Sequence, residues 1–89
     1  MEVKNERATR FISAYNRIDQ GLREIYSIKR TLTYSDMIRK VATVNTVVSK
    51  FEEDLIDYGR LRNAIVHKSS DQIIAEPNIE VVEKLESWL

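Results

Sequence analysis

Glycine and proline are scarce in this chain, since only two glycines and one proline interrupt its 89 residues. A fold of many short strands needs frequent turns, and turns draw heavily on these two residue types. Their scarcity therefore predicts long helices. The length predicts one domain over residues 1–89. Because the apolar pattern still continues at Leu89, one expectation is that the chain forms the N-terminal part of a longer protein.

The first half of the chain predicts two helices. The first covers residues 5–28, where apolar side chains recur at steps of three and four and form one stripe: Phe11, Tyr15, Ile18, Leu22 and Ile25. A β-branched stretch follows as a connection. The second helix covers residues 36–44, with Ser35 as its predicted N-cap, because serine accepts a hydrogen bond from the first turn.

The second half predicts two more helices. Asn45 and Thr46 end the second helix and cap a third over residues 47–66. Pro77 and Asn78 open a fourth, which continues to the end of the chain. The expected fold is an all-α, up-down bundle of four helices, or of five if one short extra turn forms.

Composition excludes several classes of protein. The chain has no cysteine and one histidine, so it offers neither a disulfide framework nor the ligand set of a metal site, and we expect no cofactor. No stretch approaches the ~20 apolar residues of a membrane span, and the N-terminus lacks the apolar core of a signal peptide. These features and the lack of cysteine favour the cytoplasm.

The net charge of zero conceals an asymmetry between the two halves of the chain. Residues 1–50 carry ten Lys or Arg and five Asp or Glu, whereas residues 51–89 carry four and nine. The favoured interpretation is that the halves pack together with complementary charge. A basic first half that meets phosphate is the alternative.

The predicted third helix carries two faces on a helical wheel. With Phe51 at 0°, the apolar residues Leu55, Tyr58 and Ile65 fall within ~40° and form the expected core stripe. A second, mixed face is predicted on the side away from the core: Ile56, Gly59, Arg60, Asn63 and His67. Gly59 would let another helix approach closely there, which predicts a homodimer through this helix.

Arg62 and His67 do not converge on an ideal helix. Arg62 falls at about 20°, inside the apolar stripe, and roughly 140° from His67. Two explanations are open: the helix unwinds just before His67, or the functional surface is assembled from two chains. Asn63 and His67 are i and i+4, so the Asn63 amide is expected to orient the imidazole.

The segment Arg62-Asn63-x-x-x-His67, late in the third of four predicted helices, resembles the motif of the HEPN superfamily of helical domains. The resemblance covers most of the chain and implies a bundle that dimerises through its motif helices. Many members are metal-independent endoribonucleases of toxin–antitoxin, phage-defence or RNA-processing systems. Others have lost activity and serve as dimerisation or binding modules.

The residue types suit that chemistry. A neutral imidazole such as His67 can remove a 2′-hydroxyl proton near pH 7. A guanidinium such as Arg62 binds phosphate in a bidentate manner, and Asn63 can hold the imidazole or donate to a phosphate oxygen. Arg60 and Lys68 are the expected contacts to flanking phosphates.

The leading hypothesis is therefore an endoribonuclease domain. The alternatives are a catalytically silent HEPN-like module that dimerises or binds a nucleotide or RNA, and a plain helical adaptor. The expected partners are a second copy, RNA or a nucleotide, and an antitoxin protein or a fused C-terminal domain, with no membrane.

Overall fold

The computed structural model describes residues 6–67 and 72–89. These ranges form five helices: α1 (Glu6–Ile25), α2 (Tyr34–Ala42), α3 (Thr46–Lys50), α4 (Glu52–Ile65) and α5 (Ile79–Glu86). Their only β contact is an isolated antiparallel bridge between Val66 and Ile73. The fold is therefore the predicted all-α bundle, with α3 as the short extra helix. None of the described helices is long and apolar enough to cross a membrane.

Helix α1 ends three residues earlier than predicted because the chain reverses at Ser27. Ser27 has a φ of 54°, in the left-handed region, and the Ile28 N–H donates to the Arg23 carbonyl at 2.9 Å. This arrangement is a Schellman motif, which satisfies the last carbonyls of a helix. The buried Arg23 side chain holds the turn by donating to Asp19 and to the Lys29 carbonyl, both at 2.8 Å.

Helix α2 begins at Tyr34, and the prediction of Ser35 as its N-cap is wrong. Thr33 has the extended backbone of a cap, and its hydroxyl accepts a hydrogen bond from the Asp36 N–H at 3.2 Å. Threonine and serine are chemically similar caps. With Thr33 as its cap, α2 begins two residues before the predicted start, and its Met37 and Ile38 side chains are fully buried.

The predicted helix over residues 47–66 is broken at Phe51. Asn45 caps α3 as predicted, since its side chain accepts from the Val48 N–H at 3.0 Å. Phe51, with φ −110° and ψ 20°, ends α3 and precedes α4. Its ring is 37% exposed and packs edge-on against Trp88 with the ring centroids 5.5 Å apart. Phe51 is therefore not part of the core stripe to which the wheel assigned it.

Helix α4 lies between two hydrophobic clusters and contributes to both. One cluster joins α4 to α1 and α5 through these buried residues: Ala8, Phe11, Ala14, Ile18, Ile65, Val66, Val82 and Leu85. The other joins α4 to α2 and α3: Ile28, Met37, Ile38, Val41, Val48, Leu55 and Ile56. A helix that packs on both sides buries a wider face than an amphipathic surface helix does.

Helix α5 attaches the acidic second half of the chain to the basic first half. The helix begins after Pro77 and Asn78 as predicted, and the Asn78 side chain caps it by accepting from the Glu80 N–H. Arg10 on α1 donates to Glu86 at 2.6 Å, and Glu76 accepts from the Ala8 N–H at 3.1 Å and lies 3.3 Å from Arg7. The favoured interpretation of the charge asymmetry is therefore confirmed for these pairs.

Candidate functional site

The motif lies where α4 gives way to extended chain. Ile65 is the last helical residue, and Val66 is extended with φ −119° and ψ 133°. The His67 N–H donates to the Gln72 carbonyl at 2.6 Å, and the Ile74 N–H donates to the Ile65 carbonyl at 2.9 Å. This short pairing holds the chain in an extended form just after the helix. Of the two explanations offered for the motif geometry, the structure shows the first, because the helix has ended before His67.

Asn63 and His67 do not share a helix, so the helical spacing predicted between them is wrong, and the orientation of the imidazole by the Asn63 amide stays a prediction. An i, i+4 pair meets only where both residues belong to the same helix. Asn63 lies in the last turn of α4, whereas His67 lies two residues beyond its end. Both residues are exposed to solvent. The backbone of the Val66–Ile73 bridge, rather than helical spacing, thus positions His67.

Arg62 lies half-buried on the inward side of α4, as its wheel position predicts. Its charge is felt by Tyr15 on α1. Burial raises the pKa of the Tyr15 hydroxyl to about 12, the charge of Asp19 acts in the same direction, and the charges of Arg62 and Arg23 oppose it. A tyrosine of the first helix therefore belongs to the surroundings of the motif arginine.

The sequence analysis did not predict that Tyr15 lies near the motif arginine. The spacing of Tyr15 placed it in the apolar stripe of the first helix, where aromatic residues are usually core. Its ring does pack, against Tyr34 with the centroids 4.6 Å apart. A tyrosine rather than a phenylalanine in the stripe was the available signal, because its hydroxyl requires a polar or solvated end.

The second face predicted for the motif helix is divided, because two of its five residues lie inside the protein. Ile56 is 1% exposed and Gly59 is buried. A Cβ on Gly59 would lie 2.7 Å from Cδ2 of Tyr34, so the close neighbour is an aromatic ring of α2 in the same chain. The wheel assigned one core side to α4, whereas α4 packs on two, and this difference explains the error. Of that face, Arg60, Asn63 and His67 are exposed.

Of the two cations expected to bind flanking phosphates, the structure describes Arg60. Arg60 is exposed and forms an ion pair with Asp57, one turn earlier, at 2.7 Å. An exposed pair of this kind is weak and exchanges readily for another anion. Lys68 lies outside the described residues. Within residues 6–67 and 72–89, no three His, Cys, Asp or Glu side chains are grouped so as to hold a metal ion.

Comparisons with known proteins complete the description of the site. No protein-family model matches the sequence, and neither a curated protein nor a solved structure matches the chain. The resemblance to the HEPN superfamily thus remains a prediction from the motif and the order of the helices.

Proposed function

We propose that this protein is a metal-independent endoribonuclease of the HEPN type. One observation carries the proposal: Arg62 lies half-buried in the last turn of α4, and His67 is exposed on extended chain just beyond it. Because α4 ends at Ile65, the separation of roughly 140° that an ideal helix would impose on Arg62 and His67 does not hold. A half-buried arginine suits phosphate binding, and a solvent-exposed imidazole suits proton transfer.

In the proposed reaction, His67 acts as the general base. Neutral imidazole removes the proton from a ribose 2′-hydroxyl, and the oxygen attacks the adjacent phosphorus. The bond from phosphorus to the 5′-oxygen breaks, which leaves a 2′,3′-cyclic phosphate and a 5′-hydroxyl end that takes up a proton. Arg62 stabilises the added negative charge through its paired N–H donors. Asn63 is exposed on the same turn and donates to a phosphate oxygen.

The electrostatics suggest recognition of a particular RNA rather than strong general affinity. The chain has no net charge, and Arg60 already faces Asp57. Phosphate contacts dominate nonspecific nucleic-acid affinity, so a chain with no excess of positive charge binds nucleic acid weakly in general. A toxin or phage-defence role with a protein antitoxin belongs to this proposal, as does a cytoplasmic location, which the lack of cysteine favours.

The test is cleavage of mixed RNA in the presence of EDTA, with detection of 2′,3′-cyclic phosphate ends. His67→Ala should lower the rate by ~10²–10⁴, and Arg62→Lys by ~10²–10³, because lysine keeps the charge but loses the bidentate geometry. Gln72→Ala is the matched control for His67, since Gln72 is exposed on the same segment and the substitution keeps the backbone carbonyl that accepts from the His67 N–H. Cleavage by His67→Ala at the parental rate would refute the assignment.

A catalytically silent HEPN-like module is the second candidate. The absence of net charge and the Arg60–Asp57 pair favour it, because both reduce the affinity for RNA. Such a module would dimerise through α4 or bind a nucleotide without cutting RNA. If the active site is instead composite, mixing the His67→Ala and Arg62→Lys proteins should restore part of the activity through heterodimers.

A further inference from the structure

An apolar groove of about 350 Å³ lies at the end of α4 opposite to the motif. Helix α1, helix α3 and the chain after α5 form its walls, with Gly21, Leu22, Val48, Leu55 and Trp88 among the lining residues. The wall of α3 is fixed, because the Asn45 amide donates to the Tyr26 hydroxyl at 2.8 Å while its oxygen caps α3. The groove is therefore already formed in the isolated chain.

Large apolar side chains stand exposed around this groove. Ile25 is 73% exposed, Val47 is 55% exposed and Leu89 is 54% exposed, and all three also line the groove. Single exposed apolar residues are common, but a cluster beside a groove marks an interaction site. The floor is open as well, since a Cβ on Gly21 would meet no atom within 4 Å. A second backbone can therefore approach α1 closely at Gly21.

The charges beside the groove are arranged symmetrically about Gly21. Arg17 and Glu24 lie on the same side of α1, two turns apart, with Gly21 between them. Arg17 forms no ion pair within the described ranges, although it lines the apolar groove. Glu24 is exposed and accepts one hydrogen bond, from Gln20 at 3.2 Å. One face thus presents a cation at one end and a carboxylate at the other.

We propose that a second copy of this chain docks on the groove, with the two α1 helices antiparallel and a two-fold axis beside Gly21. Arg17 of each copy then meets Glu24 of the other, which forms two equivalent ion pairs on one side of the contact. On the opposite side, Ile25 of each copy covers the groove of the other near Ile18. A two-fold contact is self-complementary, so each chain must carry both halves of every interaction. This chain does, because it carries Arg17 and Glu24 as well as Ile25 and the groove.

This contact goes beyond the proposed function and does not depend on it. Leu55 lies at the groove and Ile65 near the motif, so α4 separates the two sites along its length. None of the motif residues Arg62, Asn63 and His67 lines the groove. Loss of RNA cleavage and loss of this association are therefore separate outcomes.

Charge reversal tests the proposal through the sedimenting mass at ~100 μM. Arg17→Glu alone places two carboxylates opposite each other, and Glu24→Arg alone places two cations opposite each other. Each should weaken association by at least about tenfold, because like charges in an interface are strongly unfavourable. An equimolar mixture of the two variants should associate again, since both cross-pairs are then of opposite charge. The double variant should recover as well.

Two further variants complete the design. Arg39→Glu is the matched control, because Arg39 is exposed on α2 in an ion pair with Asp36 and lies outside the groove. Its association should equal that of the parent. Gly21→Gln should keep the helical circular dichroism and abolish association by holding the α1 backbones apart. A monomeric parent protein, or charge-reversal variants that associate like the parent, would overturn the proposal.

Discussion

The two glycines of this protein occupy opposite environments, although both lie inside long helices. A Cβ on Gly59 of α4 would lie 2.7 Å and 3.0 Å from two ring carbons of Tyr34, whereas a Cβ on Gly21 of α1 would meet nothing within 4 Å. Glycine weakens any helix interior relative to alanine. At Gly59 that weakness accompanies a close contact between α4 and α2, and at Gly21 it leaves an open surface. The neighbours of a glycine, not its helix, thus decide what it does.

Tyr34 is held in place from several directions, which is why the contact at Gly59 is tight. Its hydroxyl donates to the Leu55 carbonyl at 2.8 Å, and its ring packs on Tyr15. The ring atoms nearest Gly59 belong to the middle of the side chain rather than to a flexible end. An added methyl group at position 59 would therefore displace a helix or break the hydrogen bond.

The largest expected effect is that of Gly59→Ala. Overpacking a core of fixed side chains typically costs about 1–3 kcal/mol, which outweighs the ~1 kcal/mol that alanine adds to helix propensity. The free energy of unfolding from urea titrations should fall. The sequence predicted that Gly59 admits a helix of a second chain, whereas the structure predicts that a larger residue there lowers the stability of the single chain. A Gly59→Ala protein more stable than the parent would show that Tyr34 gives way easily.

High pH should act on the same contact with the next largest effect. Burial raises the pKa of Tyr15 to about 12 and raises the pKa of Tyr34 further. When the pKa of a group is higher in the folded state than in the unfolded state, the unfolded chain releases the proton at a lower pH. The free energy of unfolding then falls as the pH rises above the unfolded-state pKa. Stability should therefore be constant below pH ~10, the ordinary tyrosine value, and should fall as the pH rises from there through 12.

Urea titrations between pH 8 and 11.5, with tyrosinate absorbance followed in parallel, measure this loss. Tyr34→Phe removes the group with the largest shift, so the decline in stability with pH should be shallower in that variant. A decline of equal slope in the parent and in Tyr34→Phe would contradict the assignment of the loss to this buried pair.

The smallest effect should come from Gly21→Ala, and it should have the opposite sign to that of Gly59→Ala. With no atom near the new methyl group, only helix propensity changes, and alanine stabilises a helix interior by up to about 1 kcal/mol relative to glycine. Thermal unfolding at low protein concentration, where association does not contribute, measures this term. A destabilised Gly21→Ala monomer would show that the open face of α1 is occupied within the chain.

Local patterns predicted much of the helical framework. The three-and-four spacing from Phe11 to Ile25 marks α1, Asn45 caps α3, and Pro77 with Asn78 precedes α5. These features depend on neighbours within a few residues, where the physics of helix periodicity and capping is local. The choice between Thr33 and Ser35 as a cap could not be made from the residue types, because both hydroxyls can accept a hydrogen bond from the N–H groups of a first helical turn.

The break at Phe51 and the end of α4 were harder to predict for the same reason. The apolar spacing continues through Phe51, but its ring meets Trp88 from the far end of the chain. Val66 continues the apolar pattern of α4, but it pairs with Ile73 as extended chain. In both cases a contact with a residue outside the helix accompanies the break in the helical pattern.

For the motif, the sequence by itself determined that Arg62 lies on an inward face of a helix and that His67 follows near its end. Only the tertiary structure decided that the helix stops before His67, because the Val66–Ile73 bridge competes with one more helical turn. Likewise, the sequence determined that Gly59 permits a close approach. Tertiary packing decided that the close neighbour of Gly59 is Tyr34 of the same chain. The reason is that α4 packs against helices on two sides, whereas the helical wheel assumed a single core side.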